Sequence, residues 1–370
     1  MIITKIIHKL LAKKRKITIK GGNSKNALVS YVLFPPAPFN FNFFFNVSHN
    51  RYLKCSLMCE ALKREGFTVY LYDYLNVDVD YTIKYDIFIG HNKTFSTISS
   101  NLDPTCKKVL LTTGSSPFYD NSILKKRQKQ LQSLLHTNDE YFVPMQDIAY
   151  ASENIEVADA FFMIGNKFIS DTWNIPDHKH ITYFSNVNNI NFRKKKGRTN
   201  NFIYLSSVGQ LRRGLDLILT VFKNRSEQIY ICGDYEEPLF YKFKHNIENS
   251  PNIHLMGYVD QTSNAFKKMI ADADFAILPS CSEGQSGSIL TLMSYGLIPV
   301  ITQSVGFSDV EVDGILIEDY TVDAVQNAVE RCVNMEEGEL SEKRNNLLLR
   351  QSEHTQQKFI ETFTKMIGAL

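Results

Sequence analysis

Residues 280–301, Ser-Cys-Ser-Glu-Gly-Gln-Ser-Gly-Ser-Ile-Leu-Thr-Leu-Met-Ser-Tyr-Gly-Leu-Ile-Pro-Val-Ile, hold one carboxylate, Glu283, directly before a small polar loop. That loop is Gly284, Gln285, Ser286, Gly287 and Ser288. Its small residues let an anion come close to the backbone. A helical pattern begins at Ile289. The loop therefore also offers free N–H groups and the positive end of a helix dipole, which favour a phosphate. Glu283 would repel a phosphate, and its oxygens suit the hydroxyls of a sugar instead.

Such groups need a strand before the loop and a helix after it. Phe275-Ala276-Ile277-Leu278-Pro279 is an apolar run of the kind that forms a buried parallel strand. The helix pattern stops at Gly296, a suitable C-cap, and Pro299-Val300-Ile301 begins the next strand. The same alternation runs along the chain. Strands are expected at 27–34, 68–72, 85–90, 108–112 and 160–164, then at 201–205, 228–232, 252–256, 275–278 and 298–302. Helical patterns fall between them, and helices near 322–333 and 342–367 close the chain. This order implies two parallel sheets, each with helices on both faces. The stretch Asn188 to Asn201, with Arg193-Lys194-Lys195-Lys196-Gly197-Arg198, has the composition of a linker. The expected division is a basic segment 1–20, a first domain 21–192, a linker 193–200, a second domain 201–352 and a closing segment 353–370. Loops at the carboxyl ends of both sets of strands would line a shared cleft.

The Glu283 stretch resembles the signature of the retaining glycosyltransferases of the GT-B fold, glycosyltransferase family 4. Their pattern is Glu-Gly, a short loop, a helix with Met, then Gly-x-Pro-Val-Ile. Glu283, Gly284, Met293, Gly296, Val300 and Ile301 match, with one residue inserted before Pro299. Thr291 stands where the family has a second glutamate on the nucleotide ribose, and its hydroxyl is a neutral, shorter partner. Tyr204 to Asp216 resembles the family's strand, Gly-containing loop and Lys-Gly-x-Asp helix start. Arg213 takes the place of the lysine on the donor diphosphate, and a guanidinium can hold two phosphate oxygens. Val208 stands where the family often has a second cation, and Arg212 would substitute for it. Ser207, in the same loop, is placed on the nucleotide side.

Gly257-Tyr258-Val259 resembles the family's edge along the nucleotide base, which assigns Tyr258 and Val259 to it. In the first half, Asp86-Ile87-Phe88-Ile89-Gly90-His91 resembles a strand ending in Asp-x-x-x-x-His, whose histidine serves the reacting region. Asn40 to Arg51 occupies the place of the family's Gly-Gly loop, with His49 and Asn50 as acceptor or donor contacts. Gly114 and Ser115, after another strand, form an acceptor-side loop.

The resemblance implies an α/β chain of GT-B fold, two Rossmann-like domains facing a cleft. Its last helix, after about Glu353, would cross back onto the first domain. The implied reaction moves a sugar, with retention, from a nucleotide-diphosphate donor to a hydroxyl of a saccharide or lipid-linked saccharide. No cofactor is expected beyond the donor substrate. Asp272-x-Asp274 precedes a buried strand and reads as a solvated helix end, and no metal site is expected. Two alternatives stand beside the transferase: a GT-B-like protein that binds a nucleotide or glycan without transfer, and a nucleotide-sugar epimerase. The retained Glu283 and phosphate loop favour the transferase.

At 370 residues, with 44% hydrophobic and 22% charged residues, the composition is that of a soluble protein of two ordinary domains. Six cysteines without metal-ligand spacing fit a reducing cytoplasm better than a disulfide framework. No run approaches the ~18–20 apolar residues of a spanning helix, and no signal-peptide cleavage pattern is found. The net charge of +2 hides an asymmetry. Lys5, Lys9, Lys13, Lys14, Arg15, Lys16 and Lys20 lie in residues 1–20 without an acid, and removing these seven from the net leaves −5 for the rest. No nucleic-acid partner is expected of such a body. Ile2, Ile3, Ile6, Ile7, Leu10 and Leu11 recur at helical spacing beside those cations. They suggest a basic amphipathic helix on an anionic membrane surface, or one packed on the first domain. The expected place is the cytoplasm, peripheral on the inner face of a membrane.

Overall fold

The computed structural model describes residues 16–32, 50–139, 146–188, 197–206, 209–235, 237–261, 263–308 and 310–370. The first domain contains β1 (Lys16–Ile19), β2 (Asn26–Tyr31), α1 (Asn50–Arg64), β3 (Thr68–Asp73), β4 (Ile87–Gly90), α2 (Thr94–Ser99), β5 (Lys107–Thr112), α3 (Pro117–Leu135), α4 (Ala149–Val157), β6 (Ala160–Ile164), α5 (Lys167–Asp171) and β7 (His180–Phe184). The second contains β8 (Phe202–Leu205), α6 (Leu215–Phe222), β9 (Ile229–Cys232), α7 (Glu237–Lys242), α8 (Lys244–Glu248), β10 (Ile253–Gly257), α9 (Asn264–Ala271), β11 (Phe275–Leu278), α10 (Gly287–Ser294), β12 (Ile298–Ile301), α11 (Val310–Asp313), β13 (Ile315–Leu316), α12 (Val322–Val333) and α13 (Glu337–Arg350). α14 (Gln356–Gly368) ends the chain.

The first sheet has the order β1-β3-β2-β4-β5-β6-β7 and the second β10-β9-β8-β11-β12-β13. Among the described residues, all pairings are parallel except β1 with β3. Strands such as β4 and β11 are buried along their whole length, as helices on both sheet faces require. Strand order reverses between β2 and β4 and again between β8 and β11, so each sheet opens a crevice at those carboxyl ends.

The edge strand β1 takes residues 16–19 of the expected basic segment 1–20, while Ile2 to Leu11, on which the expected helix rests, are not among the described residues. Lys16–Ile19 pairs with β3 in the register Lys16↔Tyr72 to Ile19↔Val69. Exposure alternates along it, and Ile17 and Ile19 pack on the first core. That is the period of a strand, not of a helix. Lys16 pairs with Asp80 at 3.4 Å. Residues 1–15 lie outside the described residues.

The linker also ends earlier than its composition suggests. Arg198 donates to the carbonyl of Val333 at 2.7 Å, and the N–H groups of Thr199 and Asn200 donate to Asp274 Oδ2. Asp274 is not a solvated helix end. It is fully buried and takes Arg344 on its other oxygen at 2.6 Å. A buried carboxylate needs such partners to offset its desolvation.

The returning helix is present. Phe359, Ile360, Phe363, Met366 and Ile367 of α14 join the first domain's core with Leu53 and Leu57 of α1. The ring of Phe363 meets Phe162 edge-on with centroids 5.4 Å apart.

α3 holds the two domains together. Ser116 caps it by accepting from the N–H of Tyr119, and Pro117 fills the first turn. Leu131 enters the second domain's core. Four residues earlier, the Arg127 guanidinium grips both oxygens of Asp216 on α6 at 2.8 and 2.6 Å. Both side chains are 1% exposed. Arg127 also donates to the carbonyl of Tyr320 at 3.2 Å. Removing one partner leaves a buried, unpaired charge, at a cost of about 3–5 kcal/mol. Asp216→Ala should therefore lower stability in urea unfolding by roughly that amount, whereas the double change Arg127→Met with Asp216→Leu should recover most of it. Equal losses in the single and double variants would show that the pair does not carry the contact.

Candidate functional site

The crevice of the second sheet brings Arg213 and Glu283 together. Arg213 lies in the loop after β8 and Glu283 in the loop after β11, neighbouring strands at the reversal of order. Gly214 makes the approach possible. It sits at φ 72°, and a Cβ there would stand 2.5 Å from the carbonyl oxygen of Pro279. The Arg212 carbonyl accepts from the N–H of Cys281 at 2.8 Å, which ties one loop to the other. Arg213 Nε then donates to Glu283 Oε2 at 2.8 Å, and both side chains are about one-fifth exposed. Nη1 of Arg213 reaches the hydroxyl of Ser206 at 3.4 Å. The site thus sets a cation and a carboxylate side by side where a strand and a helix meet.

Arg212 turns the other way. Its Nη2 donates to Asp120 Oδ2 of α3 at 2.8 Å. Asp120 is buried and also accepts from Gln146 Nε2 at 2.7 Å. The cation expected on the phosphate is thus placed across the domain boundary.

The predicted phosphate loop divides by role. Gly284 is wedged against the first domain, and a Cβ there would fall 1.9 Å from the carbonyl oxygen of Thr113. Gln285 bonds Asn186, its side-chain oxygen taking the Asn186 N–H and its carbonyl taking Nδ2 at 3.0 Å. Ser286 donates its N–H to Val305 at 3.3 Å and caps α10 through its hydroxyl. The hydroxyls of Ser286 and Ser288 lie 3.0 Å apart, and Gly287 opens the helix. Thr291 is buried on that helix and donates to the carbonyl of Gly287 at 2.9 Å.

The acceptor-side loop touches the same residues. Ser115 donates to the Glu283 carbonyl from its N–H at 3.0 Å and from its hydroxyl at 3.2 Å. Trp173 Nε1 bonds the Gly114 carbonyl at 2.9 Å and steadies this loop. His91 stands at the carboxyl end of β4, its ring centroid 5.0 Å from Tyr31 and 5.3 Å from Tyr74. Tyr258 is 82% exposed after β10, and Val259 packs partly on the second core. His49 and Ser207 lie outside the described residues, as does the side chain of Asn50. Among the described residues, no group of three or more His, Cys, Asp or Glu could hold a metal ion.

Sequence reasoning missed Asp120, Arg127 and Tyr320, which join the domains around this crevice. Their partners are remote in sequence. The Gly284 contact has a direct test. Gly284→Ala forces the two domains apart or distorts the loop, and overpacking of this kind costs about 1–3 kcal/mol. Gly114→Ala meets its nearest atom at an ordinary 3.4 Å and should cost less. Urea unfolding of both variants gives the comparison, and a harmless Gly284→Ala would refute the contact.

Residues 199–335 match the family model described as Glycosyl transferases group 1. None of the curated proteins matches the chain by sequence. Among solved structures, TarM of S. aureus is 16% identical over 76% of this chain, with a TM-score of 0.53. The match spans only 54% of the TarM chain. HepE of Anabaena, in complex with UDP and glucose, is 10% identical over 94% of this chain and 100% of its own, with a TM-score of 0.59. Sucrose-phosphate synthase of Thermosynechococcus elongatus is 11% identical over 94% of this chain and 99% of its own, with a TM-score of 0.63. Such identities speak for the fold. The second domain therefore matches glycosyl transferases group 1, and the chain has the two-domain GT-B fold.

Proposed function

We propose that this protein transfers a sugar from a nucleoside-diphosphate donor, of which UDP is the favoured form, to a hydroxyl of a saccharide or lipid-linked saccharide, with retention. The Arg213–Glu283 pair carries the reading, because it stands at the reversal of the second sheet and inside the matched residues 199–335. HepE, a protein of the same fold, is seen with UDP and glucose, which supports a uridine donor.

The chemistry follows from the charges. Cleaving the donor's glycosidic bond leaves negative charge on the diphosphate. Arg213 offers five N–H groups, so it can hold Glu283 and a diphosphate oxygen together. The start of α10 adds the positive end of its dipole. These groups stabilise the leaving diphosphate electrostatically. Glu283 accepts from donor-sugar hydroxyls and fixes the sugar's position. His91, at the facing edge of the first sheet, serves the reacting region. The cation for the diphosphate comes from the side chain of Arg213, so the proposed transfer is metal-independent.

A second reading rests on Thr291, whose hydroxyl is engaged within its own helix. Under that reading the protein binds the nucleotide without transferring sugar. Calorimetry with UDP and turnover with UDP-sugars separate the two. Arg213→Ala should weaken UDP binding roughly 10- to 100-fold, the loss expected of a charge-assisted hydrogen bond. Glu283→Gln should keep UDP affinity and reduce turnover on the order of 100-fold, as a misplaced substrate does. Unchanged UDP affinity in Arg213→Ala would overturn the assignment of the site. Binding without turnover towards any acceptor would favour the second reading.

The basic, apolar-striped residues 1–16 support an acceptor carried at an anionic membrane surface in polysaccharide assembly. Each nearby cation adds about 1 kcal/mol at such a surface, within a Debye length of roughly 8 Å at physiological salt. Deleting residues 1–15 should abolish cosedimentation with anionic vesicles at low salt and leave the β1 pairing in place. Retained sedimentation would show that residues 1–15 do not carry the membrane contact and would remove this support for a membrane-borne acceptor.

A further inference from the structure

A cavity of about 1030 Å³ lies along α3, and neither Arg213 nor Glu283 lines it. One face of α3, with Asp120, Leu124, Arg127 and Leu131, is buried against the second domain. The neighbouring face lines the cavity with Phe118, Ser122, Lys125, Lys126 and Lys129, and Thr321 and Val322 close it from the second domain. These α3 residues follow helical spacing, so they form a continuous line roughly 16 Å long at 1.5 Å per residue. That line starts just beyond Ser115, whose N–H holds the Glu283 carbonyl. The helix that lines the cavity therefore begins at the loop that fixes Glu283.

Among the described residues, no carboxylate pairs with the lysines of this cavity. Lys125, Lys126 and Lys129 are exposed, and among the described residues none of the three takes part in an ion pair. The single carboxylate among the lining residues is Asp216, and both its oxygens are held by Arg127. Phe118, Ile148 and Val322 offer apolar surface for sugar rings between the charges. Three exposed lysines along a groove recognise anions by charge, with little demand on geometry.

We propose that this groove binds an anionic saccharide or polyol chain carrying phosphate, sulfate or carboxylate groups along its length. On the transferase reading given above, that chain is the acceptor, and Lys125, Lys126 and Lys129 hold it while its terminal hydroxyl reaches the Glu283 loop.

The test uses the full chain and a heparin-type sulfated hexasaccharide, with its desulfated counterpart as control. Fluorescence anisotropy should show the sulfated probe binding at least tenfold tighter at low salt, with the difference shrinking as salt rises. The triple variant Lys125→Gln, Lys126→Gln, Lys129→Gln should lose about tenfold in affinity for the sulfated probe while UDP affinity stays constant. A control triple, Lys63→Gln, Lys267→Gln, Lys365→Gln, removes exposed charge elsewhere and should change little. Equal losses in the two triples, or equal affinity for both probes, would overturn the proposal. So would a groove variant that loses only binding to anionic vesicles, since the groove would then belong to a membrane surface. Absence of UDP binding would defeat the transferase reading and leave the groove result standing, so the two failures are distinguishable.

Discussion

Arg127 and Asp216 are two ionised side chains removed from water at the seam of two domains. Either one alone in that place would be costly, because the desolvation of a charge is repaid only by a close opposite charge and further hydrogen bonds. The bidentate contact supplies the first, and the carbonyl of Tyr320 takes another guanidinium N–H. The pair thus fixes α3 against the start of α6 in one register. Everything else at the seam follows from that register. Asp120 is brought to Arg212, Leu131 to the second core, and the loop before α3 to Glu283.

The crevice shows why the pair matters for chemistry. Backbone meets backbone where Thr113 approaches Gly284, with no room for a side chain. Ser115 fixes the carbonyl of Glu283 from the first domain, while Arg213 fixes its carboxylate from within the second. A residue assigned to sugar positioning is thereby held from both sides. A site assembled from two rigid domains keeps its geometry only as long as the seam does.

Buried polar contacts also decide where the second domain begins. Asp274 gathers Thr199, Asn200 and Arg344, so the chain is committed to this domain before β8 starts. At the far end, α14 returns to the first domain and packs its phenylalanines on α1 and the sheet. The connection is crossed twice, once near residue 198 and once near residue 354, where His354 Nδ1 lies 3.1 Å from the carbonyl oxygen of Asn186.

Much of the fold was legible in local pattern. Continuous apolar runs such as 275–278 and 160–164 are strands wherever a two-sided sheet covers them, and their bounds agree with the structure. The Glu283 loop and its following helix were legible for the same reason, since strand, small-residue loop and capped helix are neighbours in sequence. Three strands were not. β1 hid in a basic stretch whose isoleucines fit a helix, β7 is only partly buried, and β13 is two residues long. What the sequence could not determine is which charges meet. Arg212 and Arg213 are adjacent, yet one faces Asp120 and the other Glu283. Thr291 reads as a ribose contact, but its hydroxyl is engaged one helical turn back. Arg127 carries no local sign of burial, and its partner lies 89 residues later. Local pattern sets the period of burial along the chain. The choice of partner for a buried charge belongs to the packing of distant segments, because a charge is drawn to whatever opposite charge the fold brings within reach.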